Sequence, residues 1–335
     1  MENIFIQIAA YRDPQLVITL RDCINNAKFP DRLRFCICWQ HDEKDSMEEF
    51  ANDTRFTILD VPYEKSKGVC WARSTIQNYY RDEKYTLQLD SHHRFTKNWD
   101  DILIKMVKQL QKKGHKKPLL TAYLPSFDPD NDPALRIDTP WKMNFDRFIP
   151  EGAVFFIPAS IDNFKDLHEP VPARFYSAHF CFTLGKFCKE VPHDPNYYFH
   201  GEEISIAVRA FTHGYDLFHP HIPVVFHEYT RKGRTKQWDD DTTWGQKNSH
   251  SHLTNRKLFG MDGETQEGHE GPYGFGTVRS LKDYEKYSGL LFEKRAIDKY
   301  TLDKNYPPNP YNFETEQEWK DSFCMMFKHC IDIGY

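Results

Sequence analysis

The sequence predicts an α/β protein on a mixed, mainly parallel sheet with a loop-rich C-terminal extension, and three observations carry that expectation. Strand-like and helix-like patterns alternate through roughly the first hundred residues, as in sheets whose parallel strands are joined by crossover helices. The strand YTLQL runs directly into Asp90-Ser91-His92, and in open α/β sheets ligands bind outside the carboxyl ends of the strands. Beyond Tyr229 the apolar periodicity fades into RKGRTKQWDDD and ETQEGHEGPYGFG, up to about residue 280. Functional or mobile loops are expected there.

The elements follow in order. NIFIQIAAY is β-rich, and DPQLVITLRDCINNA reads as a helix with Asp13 as N-cap and Pro14 in its first position. LRFCICWQ and RFTILDVP read as the next strands, GVCWARSTIQNYYRD as a helix and YTLQLD as a strand. WDDILIKMVKQLQKKG places Ile102, Leu103, Met106, Val107 and Leu110 on one helical face, with Gly114 beyond its end. From Pro118 to Pro172 the chain is rich in Pro and Asp, which predicts surface loops interleaved with strands such as PLLTAYL and AVFFIPA. The pattern sharpens again in ARFYSAHFCFTLGKFCKEVP. A helix then carries Ile204, Ile206, Ala207, Val208, Ala210 and Phe211 and stops near Gly214, and the short strand PVVF ends in His227. TEQEWKDSFCMMFKHCI is a last helix or strand.

Bulk properties narrow the class. A chain of 335 residues buries a substantial core, as one large domain with an extension or as two closely packed domains. A net charge of -5 with mixed signs lacks the basic footprint of a nucleic-acid or anionic-membrane binder. MENIFIQIAAYRDP turns charged after one short apolar run, unlike a signal peptide, and no run approaches the ~20 apolar residues of an integral membrane segment. Eight cysteines are too sparse for a disulfide scaffold, and Cys36 and Cys38 have no partnering pair at zinc-finger spacing. Buried thiols in a reducing, cytoplasmic setting are expected.

Three constellations could carry chemistry. Asp90 and His92, two residues apart on an extended segment, project to one side, whereas His93 projects to the other and is structural. His227 ends a distant apolar strand, and with Asp90 and His92 it would complete a mixed oxygen and nitrogen set suited to Mn²⁺, with Mg²⁺ as the alternative. Upstream, Gly68 opens a helix pattern whose first turns hold Arg73, suited to a nucleotide's approach and charge. Third, Gly201 precedes Glu202 and Glu203 at a helix start. The pair could accept hydrogen bonds from hydroxyls or act as a catalytic base; acids also favour a helix N-terminus through its dipole alone.

The order of AAYRDP, GVCWARS, LQLDSHHRF, FHGEEISIAVRAFTHGYDLF, VVFHEY and YGFGTVRSLKDYEKYSGL resembles GT-A fold glycosyltransferases. The likeness is to the GlcNAc-transferase family that includes cytoplasmic enzymes modifying hydroxyproline on a ubiquitin-ligase adaptor, and more distantly to polypeptide GalNAc-transferases. It implies a GT-A type, Rossmann-like nucleotide-sugar-binding fold, with a donor half over 1–117, an acceptor and metal-completing half over 118–230, and a lid loop and extension over 231–335. It further implies metal ligation by Asp90, His92 and His227, and catalytic acids at Glu202 and Glu203. Donor contacts are implied for Ala10, Tyr11, Arg12, Gly68, Arg73, Asp90, Ser91 and Gly201, with Arg231, Lys232 and Arg234 closing over the diphosphate. Glu203 stands where the GalNAc-transferases have Asn. The implied reaction is retaining transfer from UDP-GlcNAc to a protein or glycan hydroxyl. The other readings are a bacterial or viral polysaccharide glycosyltransferase using another UDP-sugar, and a sugar-nucleotide-binding module without catalysis. His-Glu-x-x-His, the mark of a metallohydrolase, is absent.

Overall fold

A computed structural model describes residues 2–231 and 233–323. In chain order its strands are β1 (Ile4–Tyr11), β2 (Leu33–His41), β3 (Phe56–Pro62), β4 (Tyr85–Leu89), β5 (His93–Phe95), β6 (Pro118–Thr121), β7 (Trp141–Phe148), β8 (Val154–Ser160), β9 (Val171–Pro172), β10 (Phe180–Leu184), β11 (Asp216–His219), β12 (Val225–His227), β13 (Leu290–Leu291) and β14 (Ala296–Ile297). The helices that position the site are α1 (Leu16–Asn26), α2 (Val69–Gln77), α3 (Trp99–Lys112), α4 (Phe187–Glu190), α5 (Glu202–Thr212), α6 (Gln237–Asp240), α7 (Trp244–Phe259) and α8 (Leu281–Ser288).

The principal sheet runs in the order β3-β2-β1-β4-β10-β6-β11-β9. It is mixed. β1 is parallel to β2 and β4, and β2 to β3, whereas β10 runs antiparallel to β4 and β6. Alternation along each strand sends side chains to opposite faces. Ile4, Ile6 and Ile8 join Leu20, Leu103 and Val107 of α1 and α3 on one face, while Phe5, Cys36 and Cys38 meet Ala72 and Ile76 of α2 on the other. Farther along, α5 is buried almost all round and packs with Leu119, Leu217, Leu258, Tyr284 and Phe292. The C-terminal stretch thus contributes core and not only loops. All six cysteines among the described residues are buried free thiols.

Two sequence expectations are corrected here. Asp13 is not the N-cap: α1 begins at Leu16 with Gln15 as its cap, and Asp13 closes the preceding turn by accepting the Gln15 amide at 2.8 Å. β7 is a further strand among the loops and strands expected between Pro118 and Pro172. The larger correction is α7, sixteen residues of helix inside the segment read as loops. Its buried face is mostly polar, with Asn248, Ser251, His252 and Asn255 beside only Leu258 and Phe259, so apolar periodicity could not reveal it. Of the last predicted element, Glu316–Asp321 is helical; the rest of it beyond 323 lies outside the described residues, as does Lys232.

Asn255, fully buried, seats α7. Its Oδ1 accepts from the Tyr197 hydroxyl at 2.9 Å and its Nδ2 donates to the Gly152 carbonyl at 3.1 Å. Asn255→Leu leaves both partners buried and unpaired, and the expected loss in a denaturant titration is roughly 2 kcal/mol. A stability within about 0.5 kcal/mol of wild type would show that other contacts seat the helix.

Candidate functional site

β1 and β4 lie side by side and parallel, so the loops leaving their carboxyl ends, Arg12–Asp13 and Asp90–His92, meet at one rim of the sheet. The third contributor arrives through β12, which pairs antiparallel with β5 and puts His227 opposite His93. The Glu228 amide then donates to the His92 carbonyl at 3.2 Å. These short ladders bring Asp90, His92 and His227 together, their ligand-type atoms all within 4.8 Å of one another. Asp90 Oδ2 lies 3.6 Å from His227 Nε2 and 3.8 Å from His92 Nε2. His93 faces away, its Nδ1 on the Asp90 carbonyl at 3.0 Å.

Each of these groups is oriented from behind. Asp13, its side chain 3% exposed, takes His92 Nδ1 at 2.7 Å and the Ser91 hydroxyl at 2.6 Å, which leaves His92 Nε2 toward Asp90. Burial opposes ionisation of Asp13, but the hydrogen bonds of His92 and Ser91 and the Arg234 charge hold its carboxyl down at about 2. Arg73 Nη2 binds Asp90 Oδ1 at 2.8 Å, leaving Oδ2 for the imidazoles. Burial raises Asp90, while His227 and Arg73 more than offset it and keep it well below the carboxylate range. Burial pushes His227 well below the usual imidazole value, so the ring is neutral, the state that ligates metals. Both its ring nitrogens are buried without a hydrogen-bond partner.

The paired acids at the start of α5 divide. Gly201 has φ +94°, a backbone that admits little but glycine, and the turn aims Glu202 inward. There Glu202 binds Arg73 Nη1 at 2.6 Å, accepts from the Cys70 thiol at 2.6 Å and lies 3.6 Å from His193 Nδ1. Burial would raise it, but Arg73 and His193 hold it at about 2. Cys70, His193 and Glu202 also form a ligand-type cluster. Arg73 already neutralises that carboxylate. Glu203 instead accepts from the Tyr123 hydroxyl at 3.0 Å and the Ala178 amide at 2.9 Å. Burial raises its carboxyl to about 7.

These groups line a cavity of about 660 Å³. Of the residues expected at the donor, Tyr11, Arg73, Asp90, Ser91, Gly201, Arg231 and Arg234 are on its wall with Glu202, Glu203, His92 and His227. Ala10 is not: strand alternation turns it into the core beneath α1 while Ala9 and Tyr11 face the cavity. Gly68 and Arg12 also lie behind the wall. Gly68 has φ +111° and passes so close to Tyr198 that a Cβ would lie 3.1 Å from its carbonyl oxygen. Arg12 spans Asp42 at 3.0 Å and Asp240 at 2.8 Å, and Asp240 also takes the Tyr11 hydroxyl at 2.7 Å. The segment after Tyr229 is thereby tied across the cavity. Arg234 binds Glu228 at 2.8 Å and lies beside Asp13 and His92. Sequence reasoning missed Asp13, His179, Tyr123, Glu228 and Asp240. Asp13 was hidden by its resemblance to a helix cap, and the others carry no local pattern.

Such a sheet with its cavity defines a GT-A glycosyltransferase fold, and the solved structures agree. The chain is similar to the crystal structure of GalNAc-T7 with UDP, GalNAc and Mn²⁺, with a TM-score of 0.57 at 13% identity over 85% of this chain. It spans 54% of that protein's length. The glycosyltransferase (GlcNAc) family model matches residues 3–55 and 45–294, and the chain belongs to this family. No curated protein sequence matches it.

Glu203 makes a titration prediction. Its carboxyl is raised from 4.5 to about 7 by burial and the Glu202 charge, against the Ala178 amide, the Tyr123 hydroxyl and Arg73. Between those values the unfolded chain has released a proton that the folded chain retains, so Glu203 destabilises the fold progressively as pH rises through the window. Glu203→Gln should therefore gain stability relative to wild type between about pH 4.5 and 7, by roughly 1–3 kcal/mol, and level off above. Glu285, also raised to about 7, is common to both proteins and cancels. Parallel stability curves would refute the raised carboxyl.

Proposed function

We propose that the chain is a metal-dependent, retaining transferase that moves GlcNAc from UDP-GlcNAc to a hydroxyl acceptor: hydroxyproline, Ser or Thr of a protein, or a glycan. The observation that carries it is the convergence of Asp90, His92 and His227 on the cavity wall, with His227 buried and neutral, its Nε2 facing Asp90 at 3.6 Å and neither ring nitrogen within hydrogen-bond reach of a partner. That set fits a divalent first-row cation, and Mn²⁺ is the ion in the similar GalNAc-T7 structure. When bound there, such an ion supplies charge neutralisation for a departing diphosphate.

The remaining work falls to side chains. Asp13 and Arg73 orient His92 and Asp90, as partners behind metal ligands do. Arg231 and Arg234, on the segment tied to β1 through Asp240, offer positive charge where a diphosphate leaves, and that segment excludes water when closed. Glu202 is paired with Arg73 and Cys70, and Glu203 with Tyr123 and the Ala178 amide. Both acids thus shape the wall and need not attack the sugar, which suits a retaining transfer without a covalent protein intermediate. The buried thiols suit a cytoplasmic setting.

UDP release measured across a panel of UDP-sugars tests the reading. UDP-GlcNAc should be turned over with Mn²⁺, and turnover should vanish with chelator and in Asp90→Ala. Metal-independent turnover, or preference for a non-UDP donor, would sink it. Binding of UDP-GlcNAc with no turnover on any acceptor would favour the non-catalytic module. Asp13→Asn should lower Mn²⁺ affinity roughly 10- to 100-fold by titration while the protein stays folded; unchanged affinity would remove Asp13 from the site.

A further inference from the structure

His179 belongs to no motif, yet its side chain is held from several sides on the cavity wall. It lies on a turn just before β10, and every peptide of that turn is held. The Ser177 amide donates to Thr121 Oγ1 at 2.8 Å, the Ala178 amide to Glu203 at 2.9 Å, and the Ala178 carbonyl accepts from Gln88 at 2.8 Å. The imidazole is fixed as well. Its ring stacks on His227 with centroids 4.2 Å apart and on Tyr123 at 5.3 Å, and the Tyr229 ring meets it edge-on at 5.9 Å.

The ring's hydrogen-bonding direction is set by the backbone. Nε2 accepts the Leu124 amide at 3.1 Å, and the Leu124 carbonyl is held from the other side by the Tyr229 hydroxyl at 2.8 Å. A nitrogen that accepts an N–H carries no proton, so the proton of a neutral ring is on Nδ1. His179 therefore presents one N–H donor of fixed position on a wall residue of the cavity.

The charge along that wall says what the donor meets. His92, His227, His179 and Tyr123 follow one another ring to ring. At the His92 end stands Arg234, a cation suited to a diphosphate. At the His179 end the wall is Tyr123, Ala178, Val154 and Phe156, with the Glu203 carboxyl behind the Tyr123 hydroxyl. The Arg73 guanidinium, whose charge reaches His179 and Glu203, is already bound to Asp90 and Glu202, and the other surfaces there are the aromatic and polar ones that pyranose rings and hydroxyls favour.

The geometry points to His179 as a donor-sugar-binding residue, its Nδ1–H donating to an oxygen of the transferred hexose, with Tyr123 and Glu203 as the wall that fixes it. This rests on the UDP-sugar reading above and adds where the sugar, as distinct from the nucleotide, is read.

Titration calorimetry with Mn²⁺ present, using UDP and UDP-GlcNAc as separate probes, tests it. In His179→Ala the affinity for UDP should stay within about twofold of wild type while that for UDP-GlcNAc falls roughly tenfold, the loss of one hydrogen bond. Equal weakening of both ligands would mean that the ring serves the diphosphate, and no change in either that it serves only packing; each overturns the proposal. Wild-type protein that binds neither ligand with Mn²⁺ overturns the donor reading and this inference together. A crystal structure of the wild-type complex with Mn²⁺ and UDP-GlcNAc does not depend on how the variant folds. It should place a hexose oxygen within about 3.2 Å of Nδ1, and a hexose out of reach of the ring refutes the assignment.

Discussion

The ladder of three residue pairs between β5 and β12 is the constraint on which the site depends. It matches Val225 with Phe95, Phe226 with Arg94 and His227 with His93. Because alternate residues of a strand face opposite ways, a slip of one position would turn His227 away from Asp90. Register is therefore fixed from several directions. The His227 amide donates to the Pro125 carbonyl, Phe127 donates to the His227 carbonyl, and the Thr96 amide is held by Val224. The apolar sides of both strands, Phe95 and Val225, are anchored in the core under α1 and α3.

Around that ladder the charges are arranged so that none is buried alone. Arg73, 3% exposed, bridges Asp90 and Glu202. A buried guanidinium with one carboxylate would leave a second Nη without an acceptor, and with two both Nη groups are engaged, Nε alone having no partner. The same bridge gives Asp90 its asymmetry, one oxygen engaged and the other facing two imidazoles. Glu202 thus acts at a distance: through Arg73 it sets the direction of Asp90. Its neighbour Glu203 acts on the opposite side, through the Ala178 amide, on the turn that carries His179. Two adjacent acids at one helix start consequently hold two different walls of one cavity. Adjacent helical residues point about 100° apart, which is why they can.

How much of this was legible in the sequence follows from which interactions leave a local trace. β1 to β4 and β6 were readable because their burial alternates or runs continuously, whereas β9, β10 and β11 were not named as strands; Asp90 with His92 was readable because two residues of spacing on an extended chain means one face. His227 was readable as a histidine ending an apolar strand, but its nearness to Asp90 is a matter of register that no single segment encodes. Asp13 was visible and misread, since a cap and an orienting carboxylate are the same residue type in the same place. Ala10 was included with its neighbours although strand alternation excludes it. α7 was missed for the most physical of reasons: a helix that buries asparagine, serine and histidine has no apolar stripe.

That polar face bears on how the cavity is built. α7 packs beside the start of α5, where Asn255 Nδ2 would lie 3.0 Å from a Cβ at Gly201, and its Asn248 and Ser251 side chains take the amides of His200 and Tyr198 at 3.1 and 2.8 Å. The segment 197–201 has no regular structure of its own, so its backbone groups need partners, and an apolar helix could not supply them. Polar residues on α7 satisfy that backbone and so define the position of Gly201, Glu202 and Glu203. The price is a helix with little hydrophobic anchoring, retained only at Leu258 and Phe259, which are buried in the core with Phe292. An element that breaks the usual pattern of burial is where local rules are expected to yield to a functional site, and here the deviation supports the wall that carries the paired acids.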